Sequence, residues 1–354
     1  MSSAPLPLRP ARPRRLLLRL GPVRLPLRVR SLVVAAACVV ALVVLLVLSL
    51  GMGSFPLSPD AVVAVLLGGG DALDRTVVLE WRLPRALAAV SVGALLGIAG
   101  SLFQSVTRNP LASPDILGLS NGAFTGMLVA LVFVSPGPSA RTAGALIGGV
   151  AAAAVIWLFA ARGGVQGFRL ILVGIGVSAM LASLNTWMLL QIELETAMFA
   201  SAWGAGSLNG VTPETLVTAL VCAAPFVLAS AGLGPRLRQL DLGDDVAAAT
   251  GSRPALVRSA ALLIGVVLVA AATTVAGPVA FVALAAPQVA RLLARTPYLS
   301  PGLSALVGAV LLLASDIVAQ HLLLPVVLPV GVVTVSVGGA YLVLMIVLEI
   351  RRRA

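Results

Sequence analysis

The chain has 354 residues, 59% of them apolar and 10% charged, with a mean hydropathy of +1.08; soluble domains carry about 25% charged residues, so this is an integral membrane protein. The formal charge of +11 comes from arginine alone, because the chain has no lysine. A P-loop needs a lysine on the nucleotide phosphates, so the chain is not an ATPase in its own right.

A helix crosses roughly 30 Å of hydrocarbon with about 20 apolar residues, and the alternation of membrane β-strands is missing, so the long runs are predicted as about ten transmembrane helices. Residues 1–31 form an Arg- and Pro-rich cytoplasmic leader, most simply a disordered topology anchor that can also touch anionic lipid headgroups. Span 32–50 is a retained first helix, because its apolar core is too long for a signal peptide and no small-residue cleavage site follows. Span 85–106 carries a small-residue stripe, Gly93, Gly97 and Gly100, that predicts close helix contacts. The spans 116–134, 142–161, 169–190 and 215–233 follow, then a charged loop over about 236–256. Spans 256–276 and 278–294 are divided only by Gly277 and Pro278. Spans 303–322 and 329–349 complete a polytopic domain over 32–350, and 351–354 is a basic cytoplasmic tail.

Arginine placement sets the orientation. With the N-terminus inside, the leader arginines, Arg108, Arg162, Arg169, Arg236, Arg238, Arg253, Arg258, Arg291, Arg295 and Arg351 to Arg353 are cytoplasmic, and only Arg75, Arg82, Arg85 and Arg141 are outside. That asymmetry follows the positive-inside rule and puts both termini in the cytoplasm. Topology accounts for the charge, so nucleic-acid binding is not implied.

Little catalytic chemistry is on offer. One histidine, His321, cannot build a His-based metal cluster and reads as structural or interfacial. Cys38 and Cys222 fall within spans and read as small apolar residues. Gly118 to Gly122 matches G-x-S-x-G, but a hydrolase elbow needs a strand–turn–helix setting and a histidine base; the same residues read better as a G-x-x-x-G packing motif. Asp316 is the single ionisable residue placed deep in a span, either a helix-end aspartate satisfied by neighbouring backbone or an ion-coupling site.

Two polar stretches remain. Between the second and third spans, "RNPLASPDILGLSNGA" (108–123) holds Pro110 and Pro114, which stop a helix, while Asn109 and Asp115 can bond the freed backbone. The loop "RLRQLDLGDDVAAATGSRPALVR" (236–258) is short and amphipathic, with Leu242, Ala247 and Ala248 as its apolar side. It suits docking of a separate cytoplasmic protein, the alternative being a solvated loop.

The stretch "WRLPRALAAVSVGALLGIAGSLFQSVTRNPLASPDILGLSNGA", followed by "WGAGSLNG", "LGDDVAAATG", "AGPVAFVALAAPQVARLL", "LLLASDIVAQ" and "LPVGVVTVSVGGAYL", resembles the FecCD-type permeases of binding-protein-dependent ABC importers for iron-siderophores, haem and cobalamin. The resemblance runs from about residue 75 to the C-terminus. It implies an all-α, BtuC-like ABC importer permease fold of ten helices, in which helices two to five and seven to ten are inverted repeats. It also implies a second permease subunit, two cytoplasmic ABC ATPase subunits that hold ATP-Mg, and an extracytoplasmic substrate-binding protein. No cofactor or metal is implied for this chain, which would be a transport subunit and not an enzyme.

Carried over residue by residue, the resemblance implies binding-protein docking by Arg82 and Arg85, which could otherwise be arginines snorkelling at a helix end. It implies a cytoplasmic gate containing Asn109 and Leu111, with Gly167 and Phe168 as a further part, and an ATPase coupling helix matching Leu242, Gly243, Asp244, Asp245, Ala247 and Gly251. The chain departs from the broad family at Gln288, where histidine is usual, at Gln320, where an arginine is usual, and at Gly338-Gly339. These departures resemble the branch of ferric enterobactin permease subunits, in which two different permeases pair as a heterodimer. The cargo implied is a ferric siderophore, most specifically a ferric catecholate; hydroxamate siderophore, haem or cobalamin in the same machine, and an ion-driven secondary carrier, are the alternatives.

Overall fold

The computed structural model describes residues 15–20, 23–115, 118–135, 137–160, 167–323 and 326–353. Strands β1 (Arg15–Leu20) and β2 (Val23–Arg28) pair antiparallel, Arg15 opposite Arg28. Part of the leader expected to be disordered is therefore paired as two strands. Then come α1 (Val29–Gly51), α2 (Pro59–Leu66) and α3 (Ala72–Arg75), which runs through a π-helical stretch (Thr76–Arg82) into α4 (Leu83–Thr107). After these follow α5 (Leu119–Phe133), α6 (Pro138–Ala160), α7 (Gly167–Gln191), α8 (Leu194–Gly204), α9 (Pro213–Leu240) and α10 (Asp244–Ala249). The last four are α11 (Pro254–Ala276), α12 (Val282–Ala294), α13 (Pro301–His321) and α14 (Val330–Arg353).

Each of the ten predicted spans has its helix, in α1, α4 to α7, α9 and α11 to α14. Among the described residues seven helices are long and apolar enough to cross a membrane, and α5, α12 and the Val330–Val343 part of α14 are shorter apolar ones. Proline opens α2, α6, α9, α11 and α13, where its missing N–H costs no hydrogen bond and its fixed φ suits the first turn.

Helix α4 is the centre of the bundle, flanked by α11, α12 and α13. Leu102, Phe103, Leu268, Leu312 and Leu313 are almost wholly buried around it. The predicted stripe explains the close approach: a Cβ on Gly93, Gly97 or Gly100 would overlap the carbonyls of Gly308, Ser304 and Ala283. A second tight contact joins α5 and α6, where Gly122 and Gly126 meet Gly148 and Gly144 backbone to backbone. The G-x-x-x-G reading of this region therefore holds, and Gly118, at φ 81, abuts Ser178 midway along α7.

The two repeats are visible in the helix pattern. Each runs long helix, loop, short helix, long helix, long helix: α4 to α7, then α11 to α14. At 1.5 Å per residue α5 and α12 are about 22 and 20 Å long, too short to cross alone. Their N-termini start inside the bundle, α5 beside the middle of α7 and α12 beside Gly100 of α4. The run 278–294 read as a full span is thus part irregular backbone, over 278–281, and part helix, as broken helices in transporters are.

Candidate functional site

Polar groups gather at three levels. At the end of the bundle marked by α10, α4 stops at Arg108, whose backbone is left-handed at φ 52. Asn109 Oδ1 then accepts the N–H of Leu111 at 2.9 Å, which closes the proline-bounded turn, and Leu111 itself is 54% exposed. From there the elbow climbs into the bundle. Asp115 accepts hydroxyl hydrogen bonds from Ser113 (2.9 Å) and Ser120 (3.3 Å) and, at 3.3 Å, the backbone N–H of Phe281. Phe281 precedes α12 with φ 68 and no side-chain cap of its own. A carboxylate from the first repeat therefore satisfies an orphan donor at the start of the second repeat's short helix. Gly167 opens α7; the side chains of Gly167 and Phe168 lie outside the described residues.

The charged loop forms a defined helix. Gly243, at φ 107, turns the chain into α10, whose first turn carries Asp244 and Asp245 against the positive helix end, and Gly251, at φ 84, ends the segment. Of the apolar side expected from the sequence, only Ala247 is buried; Leu242 and Ala248 face outward, and so does Val246, because a helix this short buries only one position against α9 and α11. Asp244 bridges two arginines, taking Arg258 at 2.6 Å and Arg108 at 2.8 Å. Arg258 first and then Arg108 hold its carboxyl below the usual carboxylate range, so the bridge persists at neutral pH and is lost only as pH falls through that lowered value. Arg108 also donates to the carbonyl of Leu240 at the end of α9. The residue that begins the elbow is thus tied directly to α10.

At the opposite end Arg82 donates to the carbonyls of Leu50 and Phe55, both at 2.7 Å, and pins the segment after α1. Arg85 forms a salt bridge to Asp316 at 2.8 Å and donates to Asn209 Oδ1. Asp316 is fully buried and also accepts from Gln320 at 2.8 Å. Its partners are side chains, not the neighbouring backbone considered from sequence, and the carboxylate is neutralised by Arg85. Gln320, noted only as a departure, completes this network. Between the two ends, Gln288 Nε2 donates to Gln104 Oε1 at 2.6 Å and Gln104 Nε2 to the carbonyl of Leu284 at 3.0 Å. This buried amide pair locks α4 to α12.

Among the described residues Ser120 and His321 do not form a hydrolase pair: the Ser120 hydroxyl bonds Asp115, and His321 Nδ1 sits 2.8 Å from the carbonyl of Ile317 in its own helix. Cys38 and Cys222 are free, and no group of potential metal ligands occurs among the described residues. The Arg108–Asp244 and Asp115–Phe281 links were not found from sequence. Their partners lie 136 and 166 residues apart, and Arg108 carried only a topology signal.

The FecCD transport family matches residues 41–348. The chain is 44% identical to the ferric enterobactin transport system permease protein FepG of Escherichia coli, over 92% of this chain and 98% of that one. It is 34% identical to FepD, the other permease protein named for that system, over 86% of this chain and 92% of that one. To the iron(3+)-hydroxamate import system permease protein FhuG of Bacillus subtilis it is 33% identical over 90% of this chain and 97% of that one. A solved structure described as an inward-facing metal-chelate type ABC transporter superposes with a TM-score of 0.77 at 26% identity, over 88% of this chain and 98% of that one. Sequence, helix order and repeat pattern agree: the chain is a multi-pass membrane protein that belongs to the FecCD transport family.

Proposed function

We propose that the chain is one permease half of an ATP-driven importer of ferric siderophore, with a ferric catecholate such as ferric enterobactin as cargo. The observation that carries the reading is the 44% identity with FepG across nearly the whole of both chains. FepG and FepD are named as permeases of one system and both resemble this chain, which supports a heterodimer with a second permease. In this reading the chain lies in the inner membrane with both termini cytoplasmic. Two ATPase subunits hold ATP-Mg, a binding protein docks outside near Arg82 and Arg85, and the permease needs no cofactor.

The mechanism follows from the links between levels. Outward-facing Leu242, just before α10, and Val246 on it give an ATPase subunit an apolar grip, with Gly243, Asp244, Asp245, Ala247 and Gly251 shaping and orienting that helix. Movement of α10 draws on Asp244, and through it on Arg108 and the elbow bearing Asn109 and Leu111, which with Gly167 and Phe168 form the cytoplasmic gate. The elbow's other end is bonded through Asp115 to Phe281, so a displacement there reaches α12 in the second repeat. An exposed ion pair contributes only about 0.2–1 kcal/mol to stability; here its direction matters more than its strength. In the assembled importer, Arg108→Ala is expected to leave ATP hydrolysis intact while lowering uptake about fivefold or more, the size of an ordinary coupling energy. ATPase and uptake falling in parallel would remove the relay.

The energy source separates this reading from an ion-driven carrier. In vesicles holding the importer and its partners, uptake should require ATP and survive collapse of the proton gradient. Loss of uptake on adding a protonophore at constant ATP would refute it.

A further inference from the structure

Of the arginines at the end of the bundle opposite α10, Arg82 and Arg85 have their guanidinium groups engaged by internal acceptors. Arg141, in the first turns of α6, is different. Its guanidinium lies over the Phe199 ring of α8 at 4.6 Å from the centroid. Among the described residues its Nε is buried without a hydrogen-bond partner. Stacking occupies a guanidinium's face and leaves its in-plane donors pointing outward. Arg141 lines a cavity of about 390 Å³ between the ends of α6, α8, α9 and α11, with Thr142, Ser207, Asn209 and Thr212 on its wall and no carboxylate among its lining residues. Thr212 is the N-cap of α9, so two helix N-termini, those of α6 and α9, add partial positive charge to one space. A buried donor left without an acceptor is unfavourable, and an acceptor admitted beside it by a small side-chain shift would relieve that.

We propose that this cavity is a binding site for one carboxylate, gripped in plane by Arg141 and steadied by the surrounding hydroxyls. Arginine's fork matches the two oxygens of a carboxylate. Trp203 and Val211 make part of the wall apolar, which suits the hydrocarbon arm of a carboxylate side chain or of a small organic acid. Asn209 lines the cavity and also accepts from Arg85, so occupancy is felt by the Arg85–Asp316 network that joins α4 to α13. The chemistry of the site is independent of the import reading. One source of the carboxylate, an acidic side chain on a docked binding protein, rests on that reading; the other is a free organic acid.

The permease in lipid nanodiscs, with Trp203 fluorescence as the signal and Trp203→Phe as the blank, is titrated with acetate and glutarate against chloride at fixed ionic strength. The expected result is a saturable, carboxylate-specific change that weakens at least about tenfold in Arg141→Gln. Phe199→Leu, which removes the stack and keeps the charge, should weaken it as well. A change that does not saturate, that chloride reproduces, or that persists unaltered in both variants overturns the site. In a second arm the cargo-loaded binding protein is added to the assembled importer. Tighter binding to the wild type than to Arg141→Gln, with competition by acetate, assigns the carboxylate to the protein. Equal binding to both, with the acetate response retained, assigns it to a free acid. If no binding protein associates with the wild type, the import reading fails while the acetate arm still decides the site.

Discussion

Arg85→Ala is expected to cost the folded permease about 3–5 kcal/mol, the ordinary penalty for stripping one partner from a buried ion pair. Asp316 has no solvent exposure, and after the substitution its carboxylate would keep only the amide of Gln320. The pair also joins α4 to α13, so the loss falls on the packing of the central helix at that end of the bundle. Thermal unfolding of the detergent-solubilised protein measures it. Asp316→Asn should be milder, because it removes the buried charge and leaves an Arg85 that still reaches Asn209. The double variant Arg85→Ala with Asp316→Asn should then be more stable than Arg85→Ala alone. Equal stability of the wild type and Arg85→Ala would mean that Asp316 is not held as an ion.

The second large effect is steric. A side chain at Gly100 has no room, since even a Cβ would overlap the carbonyl of Ala283, and Gly97 stands in the same relation to Ser304. Over-packing by a methyl or two typically costs about 1–3 kcal/mol through forced backbone shifts. Gly100→Leu asks for far more and is expected to yield no folded protein. Gly100→Ala should give a folded but measurably weaker one. Gly234 in α9 is the control, as nothing lies within 4 Å of its added Cβ; there alanine should be neutral or stabilise by about 0.5–1 kcal/mol through helix propensity. Size-exclusion profiles of the three variants decide this. A monodisperse Gly100→Leu protein with wild-type stability would show that α4 and α12 do not pack as described.

How much of this was readable beforehand depends on the range of the interaction. Hydrophobic run length places helices because each residue reports its own solvent, and the ten runs became ten helices. Small residues at fixed spacing on span 85–106 announced the close approach of α4 to its neighbours, because only glycine leaves that space. Pro110 and Pro114 announced the elbow, because their effect on the backbone is local. The path of the elbow was not readable. A run such as 116–134 is apolar whether it crosses the membrane or begins halfway through it, and the difference is fixed by Asp115 meeting Phe281 across 166 residues. The outer arginines posed the same difficulty. The topology signal placed Arg82 and Arg85 outside alongside Arg75 and Arg141, and only packing shows Arg82 and Arg85 holding internal acceptors and Arg141 lining a cavity. In α10 the expected apolar side faced outward because one short turn against α9 has room for Ala247 alone.

The central claim is import of an iron chelate through this permease. It is tested most directly by radioactive iron uptake in cells deleted for the gene and complemented on a plasmid, offered iron as a catecholate chelate, a hydroxamate chelate and haem. The account predicts that catecholate uptake is lost on deletion and restored by the plasmid, with hydroxamate and haem uptake unchanged. Catecholate uptake that is unaffected by the deletion would contradict it.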